Sequence, residues 1–237
     1  MTFKVTPNLS IINLHSLLLI VAASLLLAGC GIKIGVYHTV GRGETLWRIA
    51  RAYDVELQEV AEINNIQDAR QLRRGQRIFI PGVARVREVK AYSPPKGRSS
   101  ATQRRKSEGK IRVEKGRFAW PLKGKILSPF GMRNGRRHNG IDIKGRKEAK
   151  IRASADGETV YSGNKISEYG NMVILKHSGN FFTIYAHNSR NLVKEHGRVK
   201  KGDVIALVGD TGNATGYHLH FEIRSGKKRR NPLFFLP

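Results

Sequence analysis

The sequence predicts two folded units of different class: a small α+β module of βααβ order over residues 37–82, and a mainly antiparallel β domain over residues 118–237. Three observations carry this. Apolar residues recur at helical spacing only between Thr45 and Asn64. Beyond Phe118 the chain breaks into short β-prone runs separated by glycine-containing turns, with no long helical pattern. Between the two, residues 83–117 are crowded with Lys and Arg and have no apolar period. That composition predicts a flexible, charge-extended linker.

In the first unit, Tyr37-His38-Thr39-Val40 is a short strand signal. Thr45 can cap a helix whose Leu46, Ile49, Ala50 and Tyr53 share one face. A second helix follows with Leu57, Val60, Ala61 and Asn64 on one stripe, and Arg77-Ile78-Phe79-Ile80 closes as a strand stopped by Pro81.

In the second unit the strand signals are Gly157 to Tyr161, Asn171 to His177, Phe181 to His187, Asp203 to Val208 and His218 to Ile223. On the last of these His218 and His220 lie two residues apart and share one face, while Leu219 and Phe221 take the other. His138 and Asp142 frame Asn139-Gly140-Ile141, with Ile141 and Ile143 expected to be buried and Asp142 to face their opposite side, and His187 ends the third run. Three histidines and one carboxylate on sheet faces, with a fourth histidine near, can supply the two-His-one-carboxylate set that leaves zinc an open position for water. His177 and His196 read as surface residues, and Tyr185 as either a substrate contact or a packing residue.

The N-terminus has the pattern of an export signal: Lys4, then an apolar run from Leu17 to Leu27, then Leu27-Ala28-Gly29-Cys30. The run is too short to span a bilayer as a helix. Small residues followed by a cysteine resemble a bacterial lipobox. The resemblance implies a signal peptide over residues 1–29, lipidation at Cys30, a tether over residues 30–36, and, with Gly31 rather than Asp after the cysteine, the outer membrane, facing the periplasm. Cys30 is the single cysteine of 237 residues, so no intramolecular disulfide forms.

The net charge of +25 requires an anionic partner or surface. A lipidated, exported chain does not meet nucleic acid, and no nucleic-acid-binding motif accompanies the charge.

The stretch Thr39-Val40-Gly41-Arg42-Gly43-Glu44-Thr45-Leu46-Trp47, with Ile63-Asn64-Asn65 and Gly75-Gln76-Arg77-Ile78-Phe79-Ile80-Pro81, resembles a LysM module. The resemblance implies binding of peptidoglycan glycan in a shallow groove between two loops, one holding Gly43, Glu44, Thr45 and Leu46, the other Asn65, Ile66 and Gln67.

Ser128-Pro129-Phe130-Gly131-Met132-Arg133, His138-Asn139-Gly140-Ile141-Asp142, Tyr185-Ala186-His187 and Gly216-Tyr217-His218-Leu219-His220-Phe221-Glu222 resemble the lysostaphin-type (LytM-type) zinc endopeptidases. The resemblance implies one Zn2+ per chain held by His138, Asp142 and His220, with His187 and His218 assisting catalysis on peptide stems or cross-links of the wall. The module order also resembles a subgroup of envelope lipoproteins that switch on N-acetylmuramoyl-L-alanine amidases during daughter-cell separation, some with decayed metal ligands. Here all five metal and catalytic positions are filled, so enzyme and activator both stand as readings.

Overall fold

The computed structural model describes residues 35–90 and 110–237. Cys30, the expected signal peptide, most of the tether and the middle of the expected linker lie outside the described residues.

The small module pairs β1 (Gly35–Thr39) with β2 (Arg77–Pro81) in antiparallel register, and between them run α1 (Leu46–Tyr53) and α2 (Leu57–Ile63). Thr45 has extended backbone and its Oγ1 accepts from the Arg48 amide at 3.3 Å, the capping contact that starts α1. Leu46, Ile49, Ala50 and Tyr53 are buried on the inward face of α1, as their spacing predicts. Asn64 ends α2: its Nδ2 donates to Val60 O and Phe79 O, and its Oδ1 accepts from Phe79 N at 2.7 Å, which ties the helix end to β2.

The second domain contains β3 (Ile126–Ser128), β4 (Gly131–Arg133), β5 (Arg136–His138), β6 (Ile141–Lys144), β7 (Lys150–Arg152), β8 (Gly157–Gly163), β9 (Asn171–His177), β10 (Phe181–Asn191), β11 (Arg198–Val199), β12 (Val204–Val208), β13 (His218–Ser225) and β14 (Lys228–Arg230). Ten of these form one antiparallel sheet whose main path runs β11-β8-β9-β10-β13-β6-β3, with β12 joining β10 to β7 and β14 on β13. β4 and β5 pair separately as a hairpin. The sheet is covered on both faces. Leu175, Tyr185, Leu219 and Phe221 belong to a core that also takes Phe118, Phe234 and Phe235, and Met172, Ile174, Phe182 and Ile184 form a second cluster. Burial of both faces explains why β9, β10 and β13 read as apolar runs more than as clean alternation.

Three expectations need correction. His177 is buried, not at the surface: its Nδ1 lies 2.7 Å from Asp156 O and its Nε2 2.7 Å from Thr183 Oγ1, and the Phe118 ring meets it edge-on. His187 does not end a strand but lies inside β10 at a bulge between Tyr185 and Asn188, with φ 63°. The ends of the basic segment are also packed. The Arg87 amide donates to Tyr53 Oη at 3.0 Å, Val89 is buried, and the Glu114 amide donates to Phe234 O at 2.8 Å. Isolated apolar residues and backbone hydrogen bonds hold these segments, and neither leaves a periodic signal.

The two domains touch along α2. Arg230 donates from Nε and Nη2 to Glu62 at 2.7–3.1 Å, and the Asn231 amide donates to Glu62 Oε2 at 3.0 Å. Gly131 has φ 122°, and a Cβ there would lie 2.4 Å from Ile63 O, so the close approach of β4 to α2 requires glycine.

Candidate metal centre

Strand register builds the centre. His220 on β13 is paired directly with Asp142 on β6 and with Ala186 on β10, the neighbour of His187. Directly opposed residues hold their Cβ atoms about 5 Å apart, so Asp142 and His220 meet without any loop to place them. His138 ends β5, and Asn139-Gly140 returns the chain to β6. A Cβ on Gly140 would lie 2.3 Å from Phe221 O, so this turn reaches its place against β13 only with glycine.

His138 Nε2 is 3.1 Å from Asp142 Oδ1 and 3.2 Å from His220 Nδ1, and His220 Nδ1 is 2.9 Å from Asp142 Oδ1. One ligand atom from each residue falls within 4.8 Å of the others, an arrangement that could hold a metal ion. The far nitrogen of each ring is engaged. His138 Nδ1 lies 2.8 Å from Pro129 O, and His220 Nε2 lies 3.2 Å from Glu222 Oε1. With its far nitrogen held in this way, each ring turns its near nitrogen toward Asp142, and that nitrogen becomes a metal ligand once it gives up the proton it shares with the carboxylate. Two such nitrogens and a carboxylate oxygen are the donor set that zinc accepts, so the residues present fit the ion.

Sequence reasoning assigned no role to the residues behind His220. Glu222, fully buried, also accepts from Tyr169 Oη at 2.7 Å and from Arg224 Nε at 2.8 Å. The signal was present, since His218, His220, Glu222 and Arg224 alternate along β13 with Leu219, Phe221 and Ile223. Burial would raise the Glu222 carboxyl, but the Arg224 charge and the His220 hydrogen bond hold it well below the usual range. Burial works against charge on His220 too, yet its bonds to Asp142 and Glu222 raise its pKa to about 9. Asp142 is likewise held far below the ordinary carboxylate range: burial opposes this, and the hydrogen bonds of His138 and His220 outweigh it.

His187 and His218 complete the cleft. Their rings lie 4.9 Å apart, centre to centre. His187 Nδ1 lies 2.8 Å from Thr211 O and His218 Nδ1 2.7 Å from Gly216 O, so Nδ1 carries the proton on both. His218 Nε2 is 3.8 Å from Asp142 Oδ1. Burial, with His220 beside it, lowers the His187 pKa to about 4. The cleft has a volume of about 340 Å³ and is rimmed by Arg133, Arg136 and Arg137. Tyr185 packs instead: it is fully buried, and its hydroxyl accepts from the Ser154 amide at 2.9 Å.

The sugar-facing positions expected in the small module divide by burial. Leu46 and Ile66 point into the core, so contact from either would be through backbone. Gly43 has φ 75°, Glu44 Oε2 accepts from the Gly41 amide at 2.8 Å, and Thr45 caps α1. Asn65 Oδ1 accepts from Asn231 Nδ2 at 3.3 Å and Gln67 Nε2 donates to Leu233 O at 3.0 Å, so the second loop is engaged by the neighbouring domain.

Comparison with known proteins follows this division. The LysM domain model matches residues 38–81, and the model of peptidase family M23 matches residues 136–232. The lipoprotein YgeR of Escherichia coli (strain K12), named as uncharacterized, is 32% identical over 234 residues, which is 93% of this chain and 92% of that protein. This chain belongs to the same family as that protein and carries a LysM module and an M23 domain. The murein hydrolase activator NlpD of Escherichia coli is 46% identical over 120 residues, 51% of this chain and 31% of that protein. The cell division protein DipM of Caulobacter vibrioides is 43% identical over 111 residues, 46% of this chain and 18% of that protein. The chain thus spans less than a third of the length of those two relatives. Among the described residues no helix is long and apolar enough to cross a membrane.

Proposed function

We propose that this member of the LysM and M23 family is a zinc endopeptidase of the bacterial wall. The observation that carries the reading is the convergence of His138, Asp142 and His220 within 4.8 Å, with His187 and His218 on the same cleft. Zinc bound there would lower the pKa of its water and polarise the scissile carbonyl. His187, proton on Nδ1, has its Nε2 lone pair available to take a proton, and His218 in the same tautomer can accept or return one. Glu222 and Pro129 O fix the metal-facing nitrogens of His220 and His138. The LysM module would hold the glycan through Gly43 to Thr45, the backbone of Leu46 and Ile66, and whatever part of Asn65 and Gln67 the neighbouring domain leaves free. Lipidation at Cys30 would tether the chain to the outer membrane, facing the periplasm.

A second reading is favoured by the 46% identity to a murein hydrolase activator: the M23 domain would act by switching on an N-acetylmuramoyl-L-alanine amidase. One experiment separates the two. The full chain without its lipid is incubated with purified peptidoglycan, alone and with an amidase, and the soluble products are separated by mass. New peptide termini released by the chain alone support the peptidase. No release alone, with a raised amidase rate on addition, supports the activator.

A further inference from the structure

A second cavity, of about 680 Å³, lies between the LysM helix α2 and the β13–β14 hairpin. It is larger than the metal cleft and falls in the range of about 300–1,000 Å³ that suits small ligands. Its charges have a sign. Glu56, which precedes α2, and Glu59 and Glu62 on it line one side, and each faces a cation of the M23 domain: Lys228 at 2.8 Å, Arg137 at 3.3 Å and Arg230 at 2.7 Å. Seven Lys or Arg residues line the cavity against these three glutamates, a surplus of four positive charges. A concave wall carrying a surplus of one sign concentrates its field and draws in ions of the other.

The cavity and the metal cleft share one lining residue. Arg137 lines both and precedes His138 in the chain. Its side chain is only 11% exposed, and its guanidinium lies over the Phe130 ring at 5.5 Å. Its Nε is buried with no hydrogen-bond partner, while its Nη1 holds Glu59 at 3.3 Å. Near the rim, the Arg112 backbone is fixed at both its amide and its carbonyl by Gln58 at 2.8 and 3.0 Å, so the side of the cavity is built and not merely crowded.

We propose that this cavity is a second binding site, taking the free carboxylates of a wall stem peptide whose backbone passes through the metal cleft. The inference rests on the wall-peptide reading of that cleft. An extended peptide can lie across two hollows that share the Arg137 wall, whereas a flat layer of lipid headgroups cannot enter a cavity walled by two domains. The LysM module then has a role beyond glycan: its three glutamates hold the basic wall in place and complete a subsite that the M23 domain alone lacks.

The test uses the full chain without its lipid, treated with chelator so that nothing is hydrolysed. Calorimetry compares a stem tetrapeptide with free carboxylates against the same peptide fully amidated. The free peptide is expected to bind about tenfold more tightly, as two or three partly screened ion pairs allow. The Lys110→Glu, Lys227→Glu double variant changes two exposed positions and should bring the two peptides within about twofold of each other. Its melting temperature and its affinity for the amidated peptide should not change. Equal binding of the two peptides by the wild type, or a difference that survives the charge reversal, would overturn this site alone. Binding of neither peptide would remove the wall-peptide reading and this site with it. Displacement of the free peptide by inorganic phosphate or phosphatidylglycerol vesicles at lower concentration than the peptide itself would assign the cavity to phosphate and also overturn the proposal.

Discussion

Glu62 of the LysM module and Arg230 of the M23 domain form a two-pronged ion pair across the domain boundary, with Glu62 side-chain exposure of 5% and Arg230 of 16%. The same carboxylate accepts from the Asn231 amide, and the Glu62 carbonyl accepts from Asn231 Nδ2. Removing one partner of a buried pair leaves the other charge unsolvated, which costs about 3–5 kcal/mol, far more than an exposed pair contributes. Glu62→Ala should therefore lower stability by about 3 kcal/mol in denaturant titration of the full chain. A loss under about 1 kcal/mol would mean that the domains do not rest on this contact.

Glu222 sets the direction of His220. With Glu222→Gln the side chain keeps its size but no longer holds the His220 Nε2 proton by a charged acceptor. Changes of this kind weaken metal affinity by about 10- to 100-fold. Competition with a coloured chelator measures this. Tyr169→Phe, which removes only one donor to Glu222, should lower affinity by less. Unchanged affinity in both would sink the orienting role.

The sequence makes some of this plain and hides the rest for identifiable reasons. Thr45, Ile49 and Tyr53 announce α1 because cap and apolar spacing are local. The alternation at His218 and His220 gives the shared face, but not which ring ligates, because that depends on β6 lying beside β13. His177 looks like a solvent histidine until Asp156, on another strand connection, and Thr183, across the β9–β10 turn, close over it. Glu56, at the start of α2, and Glu59 and Glu62 on it fall at helical spacing and, in sequence, describe an ordinary solvated face. Only the approach of Arg137, Lys228 and Arg230 turns that face into an interface.

His187→Ala should leave the metal in place and lower hydrolysis of peptidoglycan by about 10²- to 10⁴-fold, as expected when a proton acceptor is removed and the metal stays. Metal analysis and product release on the same preparation check both halves. Full hydrolysis by the variant would exclude His187 from the reaction.

Stability should fall on mild acidification through His177. Burial lowers its pKa from the ordinary 6.5, ahead of the Asp156 hydrogen bond that opposes the shift. The folded chain therefore takes up this proton less readily than the unfolded chain. The contribution of the neutral ring is whole above pH 6.5 and is lost as the pH falls below it. Denaturation of the wild type and of His177→Gln between neutral and mildly acidic pH reads the slope. The variant should lose less stability than the wild type over this interval, and parallel slopes would contradict the assignment.

His138, Asp142 and His220 are proposed to make one zinc site. Metal analysis of the full chain, loaded with zinc and freed of excess, tests it most directly. The wild type should carry close to one zinc per chain and His220→Ala should retain none, since two remaining ligands are too few for a stable site. No zinc on the wild type, or undiminished zinc on His220→Ala, would contradict it.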